Sequence, residues 1–149
     1  MNLPIILVDT REQKPYHFKS CATCSGSLVI KLDYGDYQLK DMQDLIVIER
    51  KQSIDELANN LGKDRARFER ELERMQECQF KFIIIEDYWS SIWRRSYTKM
   101  NPNAIFESII ALELKYDTRF CFVGNRENGH RITRALLLRA YKYRKNGII

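Results

Sequence analysis

The stretch LIVIERK, residues 45–51, constrains the fold of this chain more than any other. An apolar run ends there in three consecutive charges. In a β-strand, side chains alternate with a period of two. Leu45, Val47, Glu49 and Lys51 therefore share one face, and Ile46, Ile48 and Arg50 share the other. Glu49 and Lys51 become neighbours pointing the same way. Upstream, YGDYQLK over 34–40 places Asp36 in a turn or bulge, where Gly35 tolerates backbone angles that other residues avoid. The whole segment 34–57 reads as hairpin-like, bringing Asp36 and Glu49 together at one edge of a sheet.

The rest of the chain supplies a sheet and its covering helices. PIILVD over 4–9 is a short buried strand delivering Asp9 at its end, and LVIKLD over 28–33 is a second strand. Between them runs a long loop broken by Pro15, Gly26 and serines. Ser53 and Glu56 form a capping-box pattern, so a helix begins there with Ile54, Leu57, Ala58 and Leu61 inward, and Gly62 interrupts it. A second helix is expected over about 64–77, with Phe68, Leu72 and Met75 on one face. FKFIIIED is a further strand ending in acids. Asn101-Pro102 announces a helix whose apolar positions through Leu114 cover more than one sheet contact needs. RFCFVG is a final strand. The last helix, about 128–145, is expected to set Ile132, Leu136, Ala140 and Tyr143 along one apolar face. Strands and helices are mixed without a linker or repeat, so residues 1–149 read as one α/β domain, a central sheet flanked by helices.

Composition excludes several classes. With 44% hydrophobic and 30% charged residues, the chain is expected to be globular rather than disordered. Its opening MNLPIILV runs straight into Asp9 and Arg11, which suits neither a signal peptide nor a membrane span, so an intracellular protein is expected. CATC over 21–24 has the spacing of half a zinc knuckle, but a structural zinc site takes four ligands. Cys78 and Cys121 stand alone, so a full site would need an unusual pairing or two chains each giving a CxxC. Reduced, non-ligating thiols in a loop are expected, and no disulfide. The net charge of +5 is local: Arg126 to Lys145 holds seven Lys or Arg against Glu127 alone. Such a patch suits a polyanionic partner.

Two ionised carboxylates a few ångströms apart repel, and burial worsens the cost unless a cation or proton intervenes. Hard oxygen donors favour Mg²⁺ or Mn²⁺ over zinc. Such an ion polarises a phosphodiester oxygen and lowers the pKa of bound water. Lys51 beside it would orient that water or neutralise charge on the phosphate. Asp9 would join as a further or water-mediated ligand.

VDTRE (8–12), GDY (35–37) and IERKQSID (48–55) together resemble the nuclease domain of the XPF/Hef structure-specific endonucleases, with their GDx(n)ERKx(3)D signature. Arg67-Phe68 extends the match. The resemblance covers essentially the whole chain and implies a restriction-endonuclease-like PD-(D/E)xK fold. It makes Asp36 and Glu49 the metal ligands and Lys51 the catalytic lysine. Asp9, Arg11, Arg50, Asp55 and Arg67 become supporting residues, and Glu12 matches the same motif. Asp55 has a competing structural role in the first turn of a helix. Arg50 points away from Glu49, toward a partner in Asp55 or DNA. The activity implied is a metal-dependent DNA endonuclease acting on branched, flapped or distorted DNA. The alternatives are a non-catalytic DNA-binding module and a Holliday-junction resolvase. Long family members add helix-hairpin-helix modules after the nuclease domain, and the expectation here is a standalone form lacking them.

Arg131, Arg134, Lys142 and Lys145 fall within a quarter turn of one another on the last helix, a stripe suited to a phosphate backbone. Trp89, Trp93, Arg94, Arg95 and Tyr97 form an aromatic–basic cluster suited to base stacking or to packing. The broad apolar helix 103–114, with the family resemblance, leads to the expectation of a homodimer.

Overall fold

The computed structural model describes residues 2–94 and 99–149, so Arg95 and Tyr97 of the aromatic–basic cluster lie outside the described residues. In chain order come β1 (Ile6–Asp9), β2 (Ser27–Ile30), β3 (Tyr37–Leu39), β4 (Ile46–Lys51), α1 (Ile54–Leu61), α2 (Arg65–Arg74), β5 (Phe80–Ile85), α3 (Pro102–Tyr116), β6 (Arg119–Phe122) and α4 (Arg126–Lys145). The strands form one mixed sheet in the order β2-β1-β3-β4-β5-β6, and only β3 runs against the others. Two short 3₁₀ turns, Met75–Glu77 and Trp89–Trp93, frame β5.

The alternation in LIVIERK decides which layer each helix joins. Val47 faces one core with Ile83 and Ile85, covered by Leu57 and Leu61 of α1, Leu72 of α2 and Ile109 of α3. Ile46 and Ile48 face a second core with Phe82 and Ile84, covered by Leu137 and Ala140 of α4. All six residues of β4 are buried, as expected of a strand sandwiched between two layers. β2 lies beyond both layers, on the lateral edge, and all four of its residues are exposed.

Local chemistry sets the helix ends. The Ser53 side chain accepts a hydrogen bond from the Glu56 amide at 3.2 Å, and the Glu56 carboxylate accepts one from the Gln52 amide at 2.8 Å. α1 stops at Gly62, whose amide donates to the Ala58 carbonyl. Asn101 caps α3, with Pro102 in the first turn where no N–H is missed. Asp117 ends that helix in the left-handed conformation, at φ 46.

Helix α4 departs from its sequence reading. Its buried stripe is Gly129, Thr133, Leu137 and Ala140, so of the expected face Ile132, Leu136, Ala140 and Tyr143 only Ala140 is buried. Ile132 is 38% exposed. Three small residues in the stripe let the backbone approach the sheet closely. A Cβ on Gly129 would stand 2.3 Å from the Tyr16 hydroxyl. The larger apolar side chains are thereby rotated to the flank, where Ile132, Leu136 and Tyr143 line a groove with Phe80, Phe82 and Arg119.

The surplus apolar face of α3 is partly covered from within the chain. Phe106 packs against Trp89 and Trp93, with ring centroids 6.0 and 5.6 Å away, and Trp89 stacks on Phe122 at 4.2 Å. Leu114 stays 82% exposed.

The observed register of α4 has a direct check. Leu137→Ala, at a fully buried position, should destabilise the fold by about 2–5 kcal/mol. Leu136→Ala, on the flank, should cost about 1 kcal/mol or less. Chemical denaturation midpoints of the two variants measure the difference, and equal losses would contradict this packing.

Candidate active site

Asp36 stands where three strands converge. Its carbonyl accepts from the Asp9 amide at 2.9 Å and its amide donates to the Ile48 carbonyl at 2.8 Å. Its carboxylate then accepts from the Arg50 amide at 2.7 Å, so a side chain continues the ladder where β3 has not begun. Gly35 makes this placement feasible, with φ +75 and a would-be Cβ 2.2 Å from a Val47 methyl. The sequence put Asp36 and Glu49 at a sheet edge. They meet instead at the adjoining ends of β3 and β4, two strands in the middle of the sheet.

Glu49 is buried at 7% exposure and Lys51 at 6%. The Lys51 ammonium donates to Glu49 Oε1 at 3.4 Å and sits 5.3 Å over the Phe68 ring of α2. Among the described residues Glu49 Oε2 is buried without a hydrogen-bond partner. An unsatisfied buried carboxylate oxygen is costly. Burial raises the Glu49 pKa well above its ordinary value, the Asp36 carboxylate raises it further, and Lys51 opposes both. Burial likewise raises Asp36. Burial works against charge on Lys51, but Glu49, Glu56, Glu71 and Asp36 outweigh it and hold the ammonium protonated. Glu71, on α2, also adds to the negative field at Glu49. It escaped the sequence reading because RARFERELER carries acids at several helical positions and nothing marks one as facing the site.

The polar ends open into a cavity of about 330 Å³ lined by Arg11, Glu12, Lys14, Asp36, Glu49 and Arg50, among others. Glu49 Oε2 and the Asp36 carboxylate form a hard oxygen pair short of positive charge, which fits a divalent cation. The fit is limited to these two. Among the described residues no three His, Cys, Asp or Glu side chains are grouped to hold a metal.

Both oxygens of Asp9 already accept hydrogen bonds within the chain. Arg11 donates to both of its oxygens, at 2.8 and 3.3 Å, and the Leu32 amide donates to Oδ1 at 2.8 Å. Burial opposes its ionisation, but Arg11 and Leu32 outweigh that and hold its carboxyl below the usual value. Asp9 thus positions Arg11, whose guanidinium also donates to the Leu32 carbonyl at 2.8 Å and remains 62% exposed at the cavity mouth.

The Arg50 guanidinium pairs with neither Asp55 nor the Asp36–Glu49 pair. On the α4 face of β4 it makes a two-pronged bond to Glu86, at 2.8 and 2.9 Å, and donates to Glu12 at 3.2 Å. Tyr16 donates to the same Glu86 oxygen, and its ring lies 5.3 Å from the guanidinium. Glu86 was visible in the sequence only as an acid ending a strand. Parallel pairing of β5 with β4 is what brings it beside Arg50. Asp55 lies in the first turn of α1, away from the cavity lining. Arg67 is 75% exposed on α2, with Asp64 at 4.0 Å, and it is the adjacent Phe68 that touches Lys51.

The basic stripe of α4 is divided. Arg131 pairs with Glu127 at 2.8 Å. Arg134 donates to Cys21 Sγ at 3.3 Å and to Thr23 Oγ1 at 3.0 Å. Arg134, Lys142 and Lys145 line the groove beside Ile46 and Phe80, at the start of β4 and β5. Ile46 and Lys51 are separated by about 17 Å along the strand, at roughly 3.3 Å per residue. Most of the stripe therefore borders the end of the sheet opposite the carboxylates.

Two tests follow from these environments. An acid whose pKa is raised by folding favours the folded state while protonated and costs stability as pH rises. The metal-free protein should therefore lose stability from about pH 4, the unfolded carboxylate value, up through the raised values of Asp36 and Glu49. Thermal melting across that window should show the decline, and Glu49→Gln should flatten it. Arg50→Met leaves Glu86 and Glu12 buried without their cation and should cost about 3–5 kcal/mol, read by urea denaturation.

Comparison with known proteins places this arrangement. The chain is similar in structure to XPF from Aeropyrum pernix, with a TM-score of 0.67 and 23% identity over 91% of this chain and 60% of that one. It is similar to the same XPF in complex with DNA, with a TM-score of 0.70 and 23% identity over 93% of this chain and 66% of that one. The chain thus spans less than two thirds of each, and the shared architecture is the restriction-endonuclease-like sheet flanked by helices. No curated protein matches it in sequence. The ERCC4 domain model matches residues 8–136, which includes every segment of the candidate site. The chain belongs to the ERCC4 domain family.

Proposed function

We propose that the chain is a divalent-metal-dependent endodeoxyribonuclease that hydrolyses phosphodiester bonds in branched, flapped or otherwise distorted DNA. The observation that carries this reading is the half-buried Asp36 beside the buried Glu49, with a Glu49 oxygen that has no partner among the described residues and a protonated Lys51 next to it. Family membership supports it, as does the capture of the similar Aeropyrum XPF with DNA.

Asp36 and Glu49 would hold Mg²⁺ or Mn²⁺. When bound, that ion supplies Lewis acidity and a water of lowered pKa. The remaining work falls to the chain. Lys51, kept cationic by the surrounding carboxylates, is a hydrogen-bond donor and charge stabiliser rather than a base. It would orient the attacking water and offset charge gathering on the phosphate oxygens. Asp36 is fixed by the Arg50 amide, so its free oxygen keeps one aim. Arg11, anchored by Asp9, and Lys14 stand at the cavity mouth, where they would position a phosphate without reading sequence.

The homodimer belongs to the same proposal. Leu114 on α3 is 82% exposed and Ile132 on α4 is 38% exposed, and both lie in the C-terminal half. Analytical ultracentrifugation tests it, and a monomer at tens of micromolar would refute it.

The decisive experiment incubates the protein with labelled flap, fork, four-way-junction and plain duplex DNA, with Mg²⁺, Mn²⁺ or chelator. Cleavage should require metal and should favour the flap and fork. Glu49→Gln should abolish it. Lys51→Met should slow it by about 10²–10³-fold, with DNA binding retained. Cleavage by wild type that Glu49→Gln leaves undiminished would refute the assignment. A preference for four-way junctions would move the substrate class to that of a resolvase.

A further inference from the structure

The CATC segment takes no part in the site described above, and its geometry has a purpose of its own. Cys21 and Cys24 face each other across a tight turn as an antiparallel pair. The Cys21 amide donates to the Cys24 carbonyl at 2.7 Å, and the Cys24 amide donates back at 3.4 Å. Residues that exchange both bonds in this way hold their Cα atoms about 5.5 Å apart. That separation lies inside the range of about 4.4–6.8 Å spanned by disulfides. The two thiols differ sharply in setting. Cys21 is exposed, whereas Cys24 is buried, with the Gly26 amide donating to its sulfur at 3.4 Å. Cys21 Sγ also receives the Arg134 guanidinium at 3.3 Å and lies 3.4 Å from the Thr23 hydroxyl.

We propose that Cys21 and Cys24 are a redox-active dithiol that closes to an intramolecular disulfide on reaction with a low-molecular-weight disulfide of the glutathione type. The Cys21 thiolate attacks one sulfur of the small disulfide and expels the other half as a thiolate. Cys24 gives its proton to that departing thiolate and attacks Cys21 Sγ, releasing the second half. The chain loses two protons and two electrons, and the small disulfide gains both electrons and both protons, the one first shed by Cys21 reaching the second leaving thiolate through solvent, to become two thiols. An exposed nucleophile paired with a shielded resolving partner is the division of labour this exchange needs. The hydrogen bonds from Thr23 and Arg134 lower the Cys21 pKa to about 7. Burial raises both Cys78 and Cys121, which leaves them poor competitors. Both thiols are reduced in the structure. The proposal concerns what an oxidant does to them and is independent of the nuclease reading.

Wild-type protein, reduced and cleared of metal by chelation, is incubated with oxidised glutathione. It is then quenched in acid, unfolded and alkylated with N-ethylmaleimide for mass spectrometry and peptide mapping. Loss of two hydrogens confined to the peptide with Cys21 and Cys24, with Cys78 and Cys121 alkylated, is the expected result. Cys24→Ser should stop at a glutathione adduct on Cys21. On the folded, reduced protein at pH 7, Cys21 should alkylate at least about tenfold faster than Cys78 or Cys121. Arg134→Ala should move the midpoint of its pH–rate profile upward. A wild-type adduct that never closes, disulfide-linked dimers, an unreactive pair, or an unmoved midpoint would overturn the proposal. So would one zinc held per two chains by these thiols in protein purified without chelator.

Discussion

Three consecutive charged side chains, Glu49, Arg50 and Lys51, are buried at the end of a strand with helices on both sides, and the rest of the structure answers to that constraint. A charge removed from water needs a partner of opposite sign and a full set of hydrogen bonds. Strand alternation sends Arg50 to one layer and the other two to the opposite layer. The two layers solve the problem differently. Around Arg50, Glu86 and Glu12 supply two carboxylates, and Tyr16 closes the shell. Around Glu49 the compensation is incomplete: Lys51 reaches one oxygen, Asp36 adds a second carboxylate, and one oxygen has no partner among the described residues.

The satisfied layer supports the unsatisfied one. Arg50 links the loop after β1, through Glu12, to the end of β5, through Glu86, while its own amide holds Asp36. Gly129 lets α4 settle against the Tyr16–Glu86 pair from outside. Arg50 is therefore a positioning residue for Asp36, acting from the opposite face of the strand. The electrostatic imbalance that marks the candidate site can persist because the groups behind it are rigidly paired.

Much of this could be read from the sequence, because much of it is local. The alternation in LIVIERK, the capping box at Ser53, the stop at Gly62 and the Asn101-Pro102 helix start each depend on a few adjacent residues, and each stands in the structure. The joint placement of Asp36, Glu49 and Lys51 follows from a short antiparallel connection between β3 and β4. What escaped depends on non-local pairing. Glu86 reaches Arg50 only because β5 runs parallel to β4, a relation that residue periodicity does not encode. The strand-end position of Asp9 suggested a further or water-mediated ligand, and it did not show that a neighbouring guanidinium and an amide 23 residues away bind its oxygens. In α4 the pattern of apolar residues misled at Ile132, Leu136 and Tyr143, since the face that packs sets Gly129 and Thr133 beside Leu137 and Ala140.

Strand β2 is held by hydrogen bonds to β1 and by little else, for neither helical layer reaches it. A segment with so few apolar contacts opens at a far smaller cost than the interior strands, and its amides exchange with solvent earliest. The Leu32 amide and carbonyl that latch Asp9 and Arg11 lie two residues beyond its end. Breathing of this outermost ribbon would therefore loosen the guanidinium at the cavity mouth while the carboxylates behind it stay fixed, giving the entrance a mobility that the floor does not share.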